Sequence, residues 1–142
     1  MFVDRATFDA RANAGGFLEH AEFLGQCYGT PLPEPHPGRD LLLEIECQGA
    51  RQVRALVPDA LVVLLLPPSA EVQAERLRGR GDDEASVLRR LRKGAEEVAE
   101  LRLLADHQVV NDDVERAVGE VAGILERYRS SGRPPGDPSG GL

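Results

Sequence analysis

The run Leu61-Val62-Val63-Leu64-Leu65-Leu66 is apolar at every position, stops at Pro67-Pro68 and is followed at once by Ser69, a residue type that caps helices. Six apolar residues bounded by proline are too few for a buried helix, and a run with no polar face cannot lie on a solvated sheet. Residues 60–66 therefore read as a strand covered on both faces. Residues 40–46 read the same way, as a buried strand that ends in two acids, Glu44 and Glu46. Each run is followed by a helical pattern, over 48–56 and 69–78, and a third strand is predicted over 107–110. Buried strands alternating with helices specify an α/β fold with a parallel sheet and crossover helices. In such sheets ligands bind beyond the carboxyl ends of the strands, where Glu44, Glu46 and Asp112 fall.

The rest of the chain fits around that sheet. Asp4 reads as the N-cap of a helix that stops at Gly15-Gly16. Residues 17–23 alternate apolar and polar as a half-buried strand does, with a short partner near Tyr28. Four prolines within 31–38 make a stiff connector. Residues 84–104 form an arginine-rich helix whose Leu88, Leu91, Ala95 and Val98 recur at helical spacing. Asp112 and Glu115 have the spacing of a capping box, ahead of a helix with Val114, Ala117, Val118, Val121 and Leu125 on one face. The Gly, Pro and Ser composition from Ser130 onward is that of a disordered tail.

Composition narrows the function. A formal net charge of −7 opposes bulk electrostatic binding to a nucleic-acid backbone, and no apolar stretch is long enough to span a bilayer. Lys93 is the single lysine among 17 basic residues, and arginine is the better bidentate partner for phosphate; the base composition of a GC-rich gene explains the bias equally well. Cys27 and Cys47 match no metal or redox spacing, as expected of free thiols in a reducing cytosol.

Several segments occur in one characteristic order. They are Gly16-Phe17-Leu18-Glu19-His20-Ala21-Glu22, Tyr28-Gly29-Thr30, Leu43-Glu44-Ile45-Glu46-Cys47-Gln48-Gly49-Ala50-Arg51-Gln52-Val53, Pro67-Pro68-Ser69, Arg76-Leu77-Arg78-Gly79-Arg80-Gly81, Arg89-Arg90-Leu91 and Val109-Val110-Asn111-Asp112-Asp113. As a set they resemble the bacterial-type guanylate kinases, over residues 2 to about 128. The resemblance implies the P-loop nucleoside-monophosphate-kinase fold, a parallel sheet with helices on both faces. It implies a GMP-binding lobe over 2–37, a core over 38–70 and 104–129, a lid with adjoining helices over 71–103, and the tail over 130–142. The implied reaction moves the terminal phosphoryl of ATP to GMP in the cytoplasm, with Mg2+.

The resemblance also assigns roles. Glu19 and Glu46 would accept hydrogen bonds from the donor edge of guanine, Thr30 would lie near O6, and Tyr28 would meet the GMP phosphate. Arg80 and Arg90 would neutralise the moving phosphoryl group. Arg76, Asn111 and Asp112 would lie on the adenine side, and Glu44 would order magnesium through water. Paired acids at 19 and 46 suit guanine and would repel the N1 acceptor of adenine.

Three departures stand out. No Gly-x-x-x-x-Gly-Lys-Ser/Thr loop occurs, because Lys93 sits between Arg92 and Gly94. The first strand, the P-loop and the first helix of the fold are thus expected to be missing, through a misassigned start or a truncated gene, and the 142 residues are expected to have little or no activity. Glu46 stands where the family usually has aspartate, and the proline-rich segment 31–37 replaces a helix. A non-catalytic guanylate-kinase-like interaction module is the alternative.

Overall fold

The structure is a computed structural model that describes residues 2–23, 25–34 and 40–131. They hold five helices and four strands: α1 (Arg5–Asn13), β1 (Phe17–Phe23), β2 (Gln26–Pro31), α2 (Cys47–Leu56), β3 (Val63–Leu66), α3 (Ala70–Gly79), α4 (Glu84–Leu104), β4 (His107–Val110) and α5 (Val114–Ser130). The chain divides into two compact units, one ending at Ala60 and the other beginning at Leu61.

The first unit is an antiparallel hairpin between two helices. β1 and β2 pair from Phe17↔Pro31 to Phe23↔Gln26, and Gly25 turns the corner at φ +80°. The register is irregular between Phe17 and Glu19, which breaks the simple alternation that the sequence suggests. As a result Phe17 and His20 lie on one face, with the Phe8 ring of α1 at 4.9 and 6.1 Å. Gly29 sits beneath Phe17, whose ring carbon Cδ1 would be 2.9 Å from an added Cβ. Glu19, Ala21, Tyr28 and Thr30 share the opposite face, on which α2 packs.

The expected strand over 40–46 is not formed. These residues are irregular and join no ladder among the described residues, and Leu41 and Leu42 are exposed. An apolar run becomes a strand only where a neighbour takes its backbone groups. Regular structure starts at α2, with Glu46 as its extended N-cap. The proline connector lies outside the described residues at 35–39, and the tail does so from 132; Ser130 is the last residue of α5.

The second unit is built on a parallel pair, β3 beside β4, in the register Val63↔His107 to Leu66↔Val110. Val109 is fully buried beneath Ala117 and Ile124 of α5, with Leu61, Val63 and Val121 around them. A separate cluster of Ala74, Leu77 and Val87 joins α3 to α4, with Leu91 against it. These contacts correct two expected faces. α4 buries Val87, while Leu88 is 56% exposed; α5 buries Ala117 and Ile124, while Val114 and Val118 are exposed. Leu91, Ala117 and Val121 of the expected stripes do pack inward, and in α4 the buried position shifts by one residue from Leu88 to Val87.

Helix starts follow the sequence closely. Asp4, Ser69 and Asp83 each accept the backbone N–H three residues on, from Thr7, Val72 and Ser86. The last helix is an exception, because Asp113 rather than Asp112 caps α5, accepting from Arg116 N at 2.9 Å. The cap amides at Thr7 and Ser86 hold the carboxyls of Asp4 and Asp83 below the usual range, and the Arg78 guanidinium does the same for Glu84. A carboxyl whose folded pKa lies below its unfolded one stabilises fully above the ordinary range and loses that contribution as pH falls through it. The melting temperature is therefore expected to hold at neutral pH and to fall between roughly pH 5 and 3. Thermal melts across that window check this; a flat profile would show that the caps contribute nothing.

Candidate functional site

Two sets of side chains stand out, one in each unit. In the first, Glu19 is a carboxylate on the covered face of β1, only 5% exposed. Its Oε1 accepts from Thr30 N at 3.0 Å and from Thr30 Oγ1 at 2.6 Å. The Thr30 hydroxyl is thus committed as a hydrogen-bond donor to Glu19. Oε2 points at the first turn of α2, where a Cβ on Gly49 would meet it at 2.5 Å. Glu46 precedes that same turn. Both of its carboxylate oxygens are shut off from solvent and find no hydrogen-bond partner, and its side chain caps no helix amide.

Glu19 Oε2 thus faces the first turn of α2, and Glu46 stands at the N-cap of the same helix. Helix geometry helps to hold them there, because the unpaired N–H groups of the first turn carry partial positive charge. The arrangement is rich in acceptors and poor in donors, so a complementary ligand edge must present adjacent N–H groups. Tyr28 lies on the same face of the hairpin, 58% exposed, and Glu44 is exposed in the irregular segment before α2.

In the second unit, Arg76 and Arg80 line a depression with Asn111, Gln73 and the end of β3. Arg80 follows the last turn of α3, and Gly81 at φ +89° lets the chain reverse into α4. Arg76 donates from Nη1 to the Asn111 carbonyl at 2.9 Å, while Asn111 N donates to Leu66 O at 2.7 Å. The Asn111 Oδ1 atom is buried without a hydrogen-bond partner.

Arg90 and Asp112 are not in this depression. Arg90 Nε lies 3.7 Å from Asp82 Oδ1. Asp112 Oδ1 accepts from Arg116 Nη2 at 2.6 Å and from Asp113 N at 2.7 Å. The Arg116 guanidinium, then the Asp113 amide, hold the Asp112 carboxyl below its usual range. Arg116 also donates to Val110 O and to Glu120, so it fixes the turn that carries Asn111.

A larger hollow between α1 and the hairpin holds none of the expected residues. Its acids are already engaged: Arg5 binds Asp9 at 2.9 Å and Glu22 at 3.4 Å. The described residues show no group of three His, Cys, Asp or Glu side chains able to hold a metal ion. Neither cysteine is disulfide-bonded.

The family model for guanylate kinase matches residues 1–128. The chain belongs to the guanylate kinase family. Among similar proteins is the guanylate kinase of Chromobacterium violaceum, 44% identical over 138 residues, which cover 94% of this chain and 65% of that one. A guanylate kinase of Thermus thermophilus is 44% identical over 91% of this chain and 61% of its own. A Synechococcus guanylate kinase is 49% identical over 85% of this chain and 67% of its own. The crystal structure of guanylate kinase from Anaplasma phagocytophilum superposes with a TM-score of 0.66 and 29% identity, covering 89% of this chain and 63% of that chain. The chain thus spans slightly less than two thirds of the first two relatives, and it shares the α/β fold with the parallel sheet.

Two residues with evident structural work in the site have no assigned role in the sequence reading: Gly49, which makes room for the Glu19 carboxylate, and Gln52, which bonds the His20 backbone. Both lie inside the quoted segment 43–53. Only the packing of α2 on β1 shows what they do.

Proposed function

We propose that this chain carries the guanine-recognition and arginine parts of an enzyme that transfers the terminal phosphoryl of ATP to GMP, giving ADP and GDP. The observation that carries the reading is the buried, unpartnered carboxylate of Glu46, at the N-cap of the helix whose first turn Glu19 faces. Guanine offers the matching edge, N1–H and the exocyclic amine side by side. Adenine offers an acceptor at N1 and would meet two carboxylates with a lone pair.

In this reading Glu19 and Glu46 accept from the base, and Thr30 holds Glu19 in place rather than reaching O6. Tyr28, exposed on the same face, donates to the GMP phosphate. A phosphate oxygen of GMP attacks the terminal phosphorus of ATP as the bond to the bridging oxygen breaks and ADP leaves. Arg80 and Arg90 neutralise charge on the transferring oxygens, with Arg76, Asn111 and Asp112 on the ATP side. The lobe is 2–37, the core 38–70 with 104–129, and the lid region 71–103. The protein acts in purine nucleotide metabolism in the cytoplasm; no described helix is long and apolar enough to cross a membrane.

Magnesium accompanies ATP in such chemistry, held largely by the phosphates. The described residues provide no cage for it, and the exposed Glu44 is a single carboxylate that would act only through water. No step is therefore assigned to the ion. The 142 residues also contain no Gly-x-x-x-x-Gly-Lys-Ser/Thr loop, so by themselves they bind GMP but transfer little or no phosphoryl.

Titration of the 142-residue protein with GMP and AMP tests this, alongside an assay for ADP formation. Binding of GMP in preference to AMP with negligible ADP is expected. Equal binding of AMP would remove the guanine assignment, and GDP formation at ordinary enzyme rates would remove the argument from the missing loop. Binding of a phosphorylated peptide instead of GMP would favour an interaction module.

A further inference from the structure

We propose that Gln52 is a positioning residue for guanine recognition, whose side-chain amide acts as a one-residue strand and holds the Glu19 carboxylate at the start of α2. The inference rests on the reading of Glu19 and Glu46 as a guanine site. Gln52 Nε2 donates to the His20 carbonyl at 2.7 Å, and His20 N donates to Gln52 Oε1 at 3.2 Å. That reciprocal pair is what one residue exchanges with its partner in an antiparallel ladder. Here a side chain supplies it, and the partner is the residue next to Glu19. Nε2 also reaches the Gln48 carbonyl at 3.2 Å, which ties the amide to its own helix.

The spacing explains the consequence. Gln52 lies three residues after Gly49, so the two positions share a helix face. Gln52 grips the β1 backbone on the face where Gly49 leaves room for Glu19 Oε2. β1 pairs with β2 alone among the described residues, and a strand held on one side slips in register more easily than one held on both. A small slide of β1 along α2 would drive the carboxylate off Gly49 without unfolding anything. Thr30 cannot prevent this, because it travels with the hairpin. Gln52 is therefore the group that converts the packing of hairpin on helix into a fixed distance between Glu19 and Glu46.

The test compares GMP with IMP, which lacks the exocyclic amine and otherwise presents the same phosphate and sugar. Affinities of the 142-residue protein are measured by calorimetric or NMR titration for the wild type, Gln52→Met and Gln52→Glu. Methionine keeps length and helix propensity but makes neither bond. Glutamate keeps an acceptor for His20 N and loses the donor. The wild type is expected to prefer GMP by about tenfold. Gln52→Met should lower GMP affinity about tenfold and IMP affinity far less, so that the preference falls to about threefold or below. Gln52→Glu, whose second oxygen would face the His20 and Gln48 carbonyls, should lower the preference at least as far. Equal weakening of both ligands, or an unchanged preference in a variant that melts as the wild type does, would overturn the positioning role. If Gln52→Met does not fold, Gln52→Glu decides. A wild type that binds GMP and IMP alike would instead remove the guanine reading, and this inference with it.

Discussion

Replacing Gly49 by alanine is expected to remove most of the affinity for GMP and to lower stability as well. The new Cβ would stand 2.5 Å from Glu19 Oε2 and 3.2 Å from Glu19 Cδ and Ile45 Cβ. The closest atom is the end of a flexible side chain, so the clash is relieved by turning the carboxylate away. That rotation breaks the bonds from Thr30 to Oε1, the shorter of them 2.6 Å, each worth about 1.5–3 kcal/mol when the acceptor is charged. One effect works the other way: alanine is better than glycine in a helix by about 1 kcal/mol. The two bonds together outweigh that gain, and the net loss of stability should be about 2–5 kcal/mol. Binding has no such compensation. A carboxylate turned out of the site no longer accepts from the base, and affinity should fall on the order of 100-fold. Denaturant midpoints and GMP titrations of the same samples separate the two quantities. Gly119 in α5, where an added Cβ meets nothing within 4 Å, is the control position. GMP binding equal to wild type in Gly49→Ala would mean that the carboxylate does not act from this place.

The same short contact marks the limit of what the sequence reveals. Local signals carry over well. Asp4, Ser69 and Asp83 cap where a capping residue precedes an apolar pattern, and α4 and β4 end where their periodicity ends. Such features depend on neighbours within one turn of helix or one strand. Features that depend on a distant partner do not carry over. The segment 40–46 has the composition of a buried strand and forms none, because strand formation is a property of a pair. Leu88 has the right period and the wrong phase, because Ala74 and Leu77 on α3 select Val87 instead. Asp112 and Asp113 are equally good caps by type, and Arg116 decides between them by binding Asp112.

The candidate site divides along the same line. Acidic and hydroxyl residues at 19, 30 and 46 are recognisable as hydrogen-bonding groups in an ordered motif. The link between Thr30 and Glu19 follows from the register of β1 with β2, which a one-residue irregularity sets. Gln52 reads as an ordinary polar residue of an amphipathic helix until its amide is found on the backbone of β1. Glycine at 49 reads as a weak point in a helix. It is explained by a carboxylate far earlier in the chain, which no periodicity foretells.

Glu46 supplies the second large effect, and in its case stability and function should move in opposite directions. Both carboxylate oxygens are removed from solvent with no donor to meet them. A buried polar group in that condition destabilises the fold, and a charged one does so more, although the amino end of α2 offsets part of the cost. Glu46→Gln keeps the shape, removes the charge and leaves a neutral amide whose desolvation costs less. The variant is expected to be more stable by about 1 kcal/mol. Its GMP affinity should fall on the order of 100-fold, because one acceptor oxygen is replaced by a donor that faces the donors of guanine. Such a trade is what a site held ready for a ligand produces, with the destabilisation relieved only on binding. Thermal melts with and without GMP measure both halves: the apo melting temperature should rise, and the increment added by GMP should vanish. A lower apo melting temperature would show that the Glu46 carboxylate is a structural partner of the first turn of α2, and the argument for a vacant acceptor pair at that helix end would fail with it.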